Sequence, residues 1–145
     1  MNKPFVMLVD DEVPFVEAMT KRLVKRELIV ISAFDGKEAL SKLEKNRNLD
    51  VIILDVKMPG MDGIETLTEI KKRNPLTEVI MLTGHATVET AIEGMKQGAY
   101  DYLMKPCEIE QLMLKVEEAT VKKRDQEEKI REAKVREALA AHGIE

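Results

Sequence analysis

Cysteine is nearly missing from this chain. Cys107 is the only one in 145 residues, so no disulfide can close within it. That suits a reducing compartment. Tryptophan is absent, and three Phe and two Tyr supply all the aromatic rings. The core must therefore be built from Val, Ile, Leu, Met and Ala. No apolar run approaches the ~20 residues of a membrane-spanning helix, so no membrane insertion is expected. Residues 1–4 lead directly into an apolar run, without the basic segment and apolar stretch of a secretory signal. The expected location is cytoplasmic. An excess of positive charge is lacking too. The net charge of −4 gives no general attraction to nucleic acid or anionic lipid, and no direct nucleic-acid partner is expected.

What is present is ordinary globular composition. Hydrophobic residues make up 44% and charged residues 34%, with seven Gly and five Pro. The length suffices for one domain with a proper core and a little more. Five short apolar runs recur, at residues 5–9, 28–33, 51–54, 79–82 and 100–104. They mostly lack polar alternation, as expected of parallel strands covered on both faces.

Segments of helical spacing lie between these runs. Phe15, Met19 and Leu23 repeat every four residues; Ala39, Leu40 and Leu43 share a face; Ile64, Leu67 and Ile70 mark a third helix. Val88, Ala91, Ile92, Met95 and Ala99 mark a fourth, and Ile109, Leu112, Leu114 and Val116 begin a fifth. Strand and helix alternate five times. The expected fold class is α/β: a doubly wound, five-stranded parallel sheet in the order 2-1-3-4-5, with helices on both faces. Crossovers should be right-handed.

That order collects one set of side chains at the carboxyl ends of the strands, where such sheets bind ligands. Asp10 and Asp11 follow the first run, Asp55 the third, Thr83 the fourth and Lys105 the fifth. Clustered carboxylates repel one another unless a cation joins them. An all-oxygen site with few protein ligands suits Mg²⁺, with Mn²⁺ as the alternative. With the cation bound, Asp55 can act as a nucleophile toward phosphorus. Lys105 would stabilise charge on the transferring oxygens, and the Thr83 hydroxyl would donate to one of them. Taken singly, each residue has an ordinary reading. Strand ends often carry Asp, Thr or Lys, and Asp11 could be only the N-cap of the following helix. Five at matching strand ends point to chemistry.

These residues sit in motifs that resemble bacterial response-regulator receiver domains. The resemblance runs from about Lys3 to about Val121. It is carried by Val9-Asp10-Asp11-Glu12, by the Asp55–Gly63 stretch, by Leu82-Thr83-Gly84 and by Met104-Lys105-Pro106. It looks most like receivers that precede ATPase-type transcription activators. The resemblance implies that Asp55 is the phosphoacceptor. It also implies that Asp11 ligates the metal directly, Asp10 does so mostly through water, and the Lys57 backbone carbonyl completes the set. Thr83 and Lys105 would contact the phosphoryl group. Tyr102 matches the aromatic switch residue, which turns inward as Thr83 moves and so remodels the face of the fourth helix, fifth strand and fifth helix. The Lys105–Pro106 peptide is cis in relatives. Lys57 and His85 occupy positions that tune phosphoryl lifetime. The implied donor is a sensor histidine kinase or phosphotransfer protein, and an unidentified downstream protein reads the altered face.

Cys107 stands where relatives often carry Phe. It reads as a small, buried, inert hydrophobe in preference to an accessible thiol. His85 reads as a solvated loop residue in preference to a ligand or base. Met58, Met61, Met81, Met95 and Met104 read as core filler.

The chain divides into an expected receiver domain, 1–121, and a C-terminal helical extension, 122–145, with no output domain. The extension carries dense mixed charge, with Glu118–Lys122, Asp125–Lys129, Glu127–Arg131 and Glu132–Arg136 all spaced for i, i+4 ion pairs. Gly143 is the expected terminator. A weak heptad seam interrupted by Lys123, Gln126 and Glu137 leaves a solvated tail and a homodimer as equal readings.

Other functions fit less well. Haloacid-dehalogenase-like enzymes need a second Asp two residues after the nucleophile, where this chain has Lys57. A nucleotide-binding module needs a Gly-rich loop after the first strand, where the chain is acidic. A phosphorylation-independent dimeriser would not need a full acidic pocket. The expected role is a signalling switch rather than a multiple-turnover enzyme.

Overall fold

The computed structural model describes residues 2–143. Met1, and the last two residues of the expected extension, lie outside the described residues. The order is β1 (Phe5–Val9), α1 (Val13–Lys25), β2 (Ile29–Ala33), α2 (Gly36–Lys45), β3 (Val51–Leu54), α3 (Gly63–Arg73), β4 (Glu78–Thr83), α4 (Val88–Lys96), β5 (Asp101–Met104) and α5 (Ile109–Ala141). The strands form one parallel sheet in the order β2-β1-β3-β4-β5. The fold class is the one the sequence leads to expect.

Side chains alternate across a strand, and here both faces are apolar. Val6, Leu8, Val51, Ile53, Ile80 and Leu82 pack with α1 and α5. Met7, Val9, Ile52, Leu54, Val79 and Met81 pack with residues of α2 and α3. This is why the central strands carry no polar alternation. The two outer strands differ: β2 and β5 are only partly buried, because a sheet edge has a neighbour on one side.

Local chemistry sets the helix boundaries. Asp35 and Asp62 cap α2 and α3 by accepting the N–H groups of Glu38 and Glu65. Thr87 and Thr90 form a reciprocal capping box on α4. Pro14 lies in the first turn of α1, where its missing N–H costs nothing. The N-cap of α1 is Glu12, so Asp11 has no capping role and remains exposed.

Two expectations about apolar residues need correction. Met58 and Met81 are buried and Met61 packs against the core, but Met95 and Met104 are exposed. The apolar stripe of α4 faces outward as well: Val88, Ile92 and Met95 are exposed, and Gly94 is the buried residue of that helix. Helical periodicity identifies an apolar face but not what it packs on.

The helix α5 is unbroken across residues 121–122 and ends at His142 and Gly143, whose φ is +72°. None of the four expected i, i+4 pairs forms among the described residues. Lys122 reaches Glu78 on the sheet, and Arg131 pairs with Glu128.

Candidate functional site

Backbone pairing at the ends of the strands aims the key side chains. The Asp10 N–H donates to the Ala33 carbonyl at 3.1 Å, Asp55 to Val9 at 3.0 Å and Lys105 to Thr83 at 2.8 Å. Each is one step past its strand, still held by the sheet, with its side chain at the carboxyl edge. Carboxylate oxygens of Asp10, Asp11 and Asp55 all lie within 4.8 Å of one another. Asp10 and Asp55 are buried and Asp11 is exposed, so the cluster opens to solvent on the Asp11 side.

The surrounding hydrogen bonds are specific. Asp10 Oδ1 accepts the Glu12 N–H at 2.9 Å, and its Oδ2 accepts Lys105 Nζ at 2.6 Å. Asp55 Oδ1 accepts the Val56 N–H at 2.8 Å. Thr83 is fully buried at the end of β4, and its Oγ1 accepts the His85 N–H at 3.0 Å. Lys57, His85, Met58 and Pro59 line one cleft with Asp11, Glu12 and Asp55.

The loop carrying Lys57 is held tightly. The Gly63 N–H donates to the Val56 carbonyl at 2.7 Å. A Cβ at Gly63 would stand 2.0 Å from the Asp55 carbonyl oxygen, so only glycine lets α3 start this close to Asp55.

Burial and charge act together on Asp10 and Lys105. Burial pushes the Asp10 carboxyl above the usual carboxylate range, and the Asp55 charge pushes the same way; the Lys105 hydrogen bond and the Glu12 N–H offset this only in part. For Lys105, burial acts to lower the pKa. The hydrogen bond to Asp10 and the charges of Asp10, Asp55 and Glu12 outweigh it, so the ammonium is held above its ordinary value. An ion pair alone would pull its carboxylate down. Asp10 is pushed up chiefly because its burial outweighs the ion pair, with the Asp55 charge adding to the effect. An all-oxygen donor set of excess negative charge, open on one side to water, fits Mg²⁺ or Mn²⁺.

Tyr102 lies away from the carboxylates. Its ring packs near Gly94, and its hydroxyl is 2.7 Å from Thr90 Oγ1 in the cap of α4. The Lys105–Pro106 peptide is cis. Cys107 is half-buried, not fully buried, and burial raises its thiol pKa. His85 is an exposed loop residue.

Three participants escape a strand-end reading. Glu12 Oε1 stands 3.5 Å from Lys105 Nζ, and the Phe15 ring centroid lies 3.9 Å from the same atom. Gly63 is the third. Glu12 adjoins the acidic pair and was legible as more charge. Phe15 reads in sequence only as a core position of α1.

Comparison with known proteins bears on the fold and the family. The family model described as the response regulator receiver domain matches residues 6–117. The transcriptional regulatory protein ZraR of Klebsiella oxytoca is 38% identical over 114 residues, covering 79% of this chain and 26% of ZraR. The DNA-binding transcriptional regulator NtrC of Escherichia coli strain K12 is 35% identical over 119 residues, 82% of this chain and 25% of NtrC. The chain thus spans about a quarter of the length of these curated relatives. A receiver domain protein from Clostridium thermocellum superposes with a TM-score of 0.80 at 35% identity, covering 83% of this chain and 97% of that one.

Proposed function

Because this chain belongs to the response regulator receiver domain family, we propose that it is a phosphoacceptor signalling switch with Asp55 as the acceptor. Receiver domains are signalling switches, not enzymes acting on external substrates. The observation that carries the reading is the convergence of Asp10, Asp11 and Asp55 within 4.8 Å, with Lys105 bonded into the cluster.

An Asp55 carboxylate oxygen attacks the phosphorus of a phosphohistidine on a sensor kinase or phosphotransfer protein. An O–P bond forms and the P–N bond breaks. The electron pair returns to the ring nitrogen, and because the other ring nitrogen carries a proton the imidazole leaves neutral. Lys105 Nζ moves from Asp10 to a phosphoryl oxygen, and the Thr83 hydroxyl turns from the His85 N–H to donate to another. A divalent cation held by Asp10, Asp11, Asp55 and the Lys57 carbonyl would neutralise charge on the phosphoryl oxygens. Lys57 and His85 line the approach to Asp55 and set how fast water reaches the acyl phosphate. The reaction is the domain's own slow hydrolysis.

The readout runs through Thr83 and Tyr102. Withdrawal of the Thr83 hydroxyl frees the β4–α4 loop, and Tyr102 adjusts against the α4 cap. The face of α4, β5 and α5 changes, and a downstream protein binds it. The exposed Val88, Ile92, Met95 and Met104 on α4 and β5 support this assignment. In this reading residues 1–121 are the receiver and 122–145 its extension, helical to Ala141, acting in the cytoplasm. The extension is either a solvated tail or the element through which a second copy pairs.

Amide NMR with Mg²⁺ and beryllofluoride, which mimics a phosphoryl group on a carboxylate, tests the switch. Shifts are expected at Asp55, Thr83, α4 and β5, and none in Asp55→Asn. Shifts confined to the acidic pocket would refute the switching face.

A further inference from the structure

Lys105 is committed on several sides before any phosphoryl group arrives. Its Nζ donates to Asp10 Oδ2 at 2.6 Å and stands 3.5 Å from Glu12 Oε1. A further side meets the Phe15 ring, 3.9 Å from the centroid and within cation–π range. Phe15 is half-buried and packs on the core between α1 and α5. With Met19, Leu82 and Pro106 it lines a groove that also includes Lys105. The lysine therefore stands between that groove and the carboxylates. In a chain with five aromatic residues, one is spent on this contact.

We propose that Phe15 is a positioning residue for phosphoryl transfer: its ring holds the Lys105 ammonium beside the acidic pocket, ready for the phosphoryl oxygens on Asp55. The inference rests on the phosphoacceptor reading of Asp55. Its physical basis is the contrast between the two kinds of partner. A lysine is a compact, strongly hydrated charge on a flexible stem, and ordering that stem is costly. Carboxylates alone would order it, but a directional charged hydrogen bond to Asp10 must break before Lys105 can serve the phosphoryl group. The π face attracts the cation with little directional demand. Nζ can therefore shift from Asp10 toward Asp55 while keeping the ring contact. A leucine would fill similar space and pack on Met19 and Leu82, but it would not attract the cation.

The test replaces Phe15 with phenylalanines carrying one, two and three ring fluorines, which weaken the π cloud stepwise at nearly constant shape. Phe15→Leu is the limit. The first readout is the rate of the phosphoryl adduct with acetyl phosphate and saturating Mg²⁺. The second is the NMR shift of the Lys105 ε-methylene protons without phosphodonor. The rate should fall with each fluorine and by about fivefold in Phe15→Leu, equivalent to ~1 kcal/mol, with unchanged melting temperatures in the fluorinated series. The ring-current shift should vanish in Phe15→Leu. A flat rate across the series overturns the proposal, because a packing role would not follow fluorination. Failure of the phosphoacceptor reading looks different: the unsubstituted chain itself takes no adduct. An unsubstituted chain without the ring-current shift overturns the inference independently.

Discussion

Asp55 is 2% exposed and has two other carboxylates within 4.8 Å. Such a site trades stability for chemistry, since burying like charges together is unfavourable until a cation arrives. Asp55→Asn removes one of the charges and keeps the shape. In EDTA it should raise stability by about 1 kcal/mol, seen as a higher melting temperature. Added Mg²⁺ should narrow the gap, because the cation binds the folded wild type more tightly. A less stable Asn variant would show that the cluster is not strained. Gly63 gives the opposite sign. A methyl group placed 2.0 Å from the Asp55 carbonyl must push α3 away from the Asp55 loop. Gly63→Ala should cost about 1–3 kcal/mol in urea denaturation, the usual range for overpacking, and should slow adduct formation. The acidic residues were legible in sequence, because strand ends and sheet order suffice to bring them together. Phe15 was not, because its distance to Lys105 depends on how α1 lies on the sheet.

Among the elements, the strands were the most legible. A run such as Val51-Ile52-Ile53-Leu54 has no polar residue because both faces of β3 are covered. The helix α4 was least legible. Its stripe of Val88, Ile92 and Met95 has good helical spacing, yet the residue that packs inward is Gly94, against Tyr102 and Met81. Sequence cannot distinguish a face kept for a partner from one that meets the core. The first turn of α4 depends on Thr90 Oγ1, which bonds to Thr87 and to the Tyr102 hydroxyl. Tyr102→Phe should remove about 1 kcal/mol of local support, comparable to a cap. Hydrogen exchange should then speed up at the α4 N-terminus and stay unchanged in α2 and α3. Unchanged protection throughout would show that the hydroxyl contact does not hold the helix.

Across the whole molecule, the acidic cluster and the anchors of α5 occupy opposite edges of the sheet. At the amino-terminal edge, buried Asp50 accepts the Phe5 N–H and bonds Lys123 and Arg124, while buried Glu78 pairs with Lys71 and Lys122. Three consecutive residues of α5 are thus tied to the sheet. The expected Glu118–Lys122 pair does not form because buried Glu78 takes Lys122, while Lys123 and Arg124 lay outside the expected pairs. Removing one partner of a buried charge network costs about 3–5 kcal/mol. Asp50→Ala should therefore lower the urea midpoint sharply, yet leave adduct formation intact while the protein is folded. Loss of the adduct in folded Asp50→Ala would mean that the two edges are coupled. Intact mass spectrometry after incubation with Mg²⁺ and acetyl phosphate reads the proposed acceptor chemistry of Asp55 itself. One phosphoryl adduct is expected, absent in Asp55→Asn and absent with EDTA. No adduct on the folded wild-type chain, or an adduct that persists in Asp55→Asn, would contradict it.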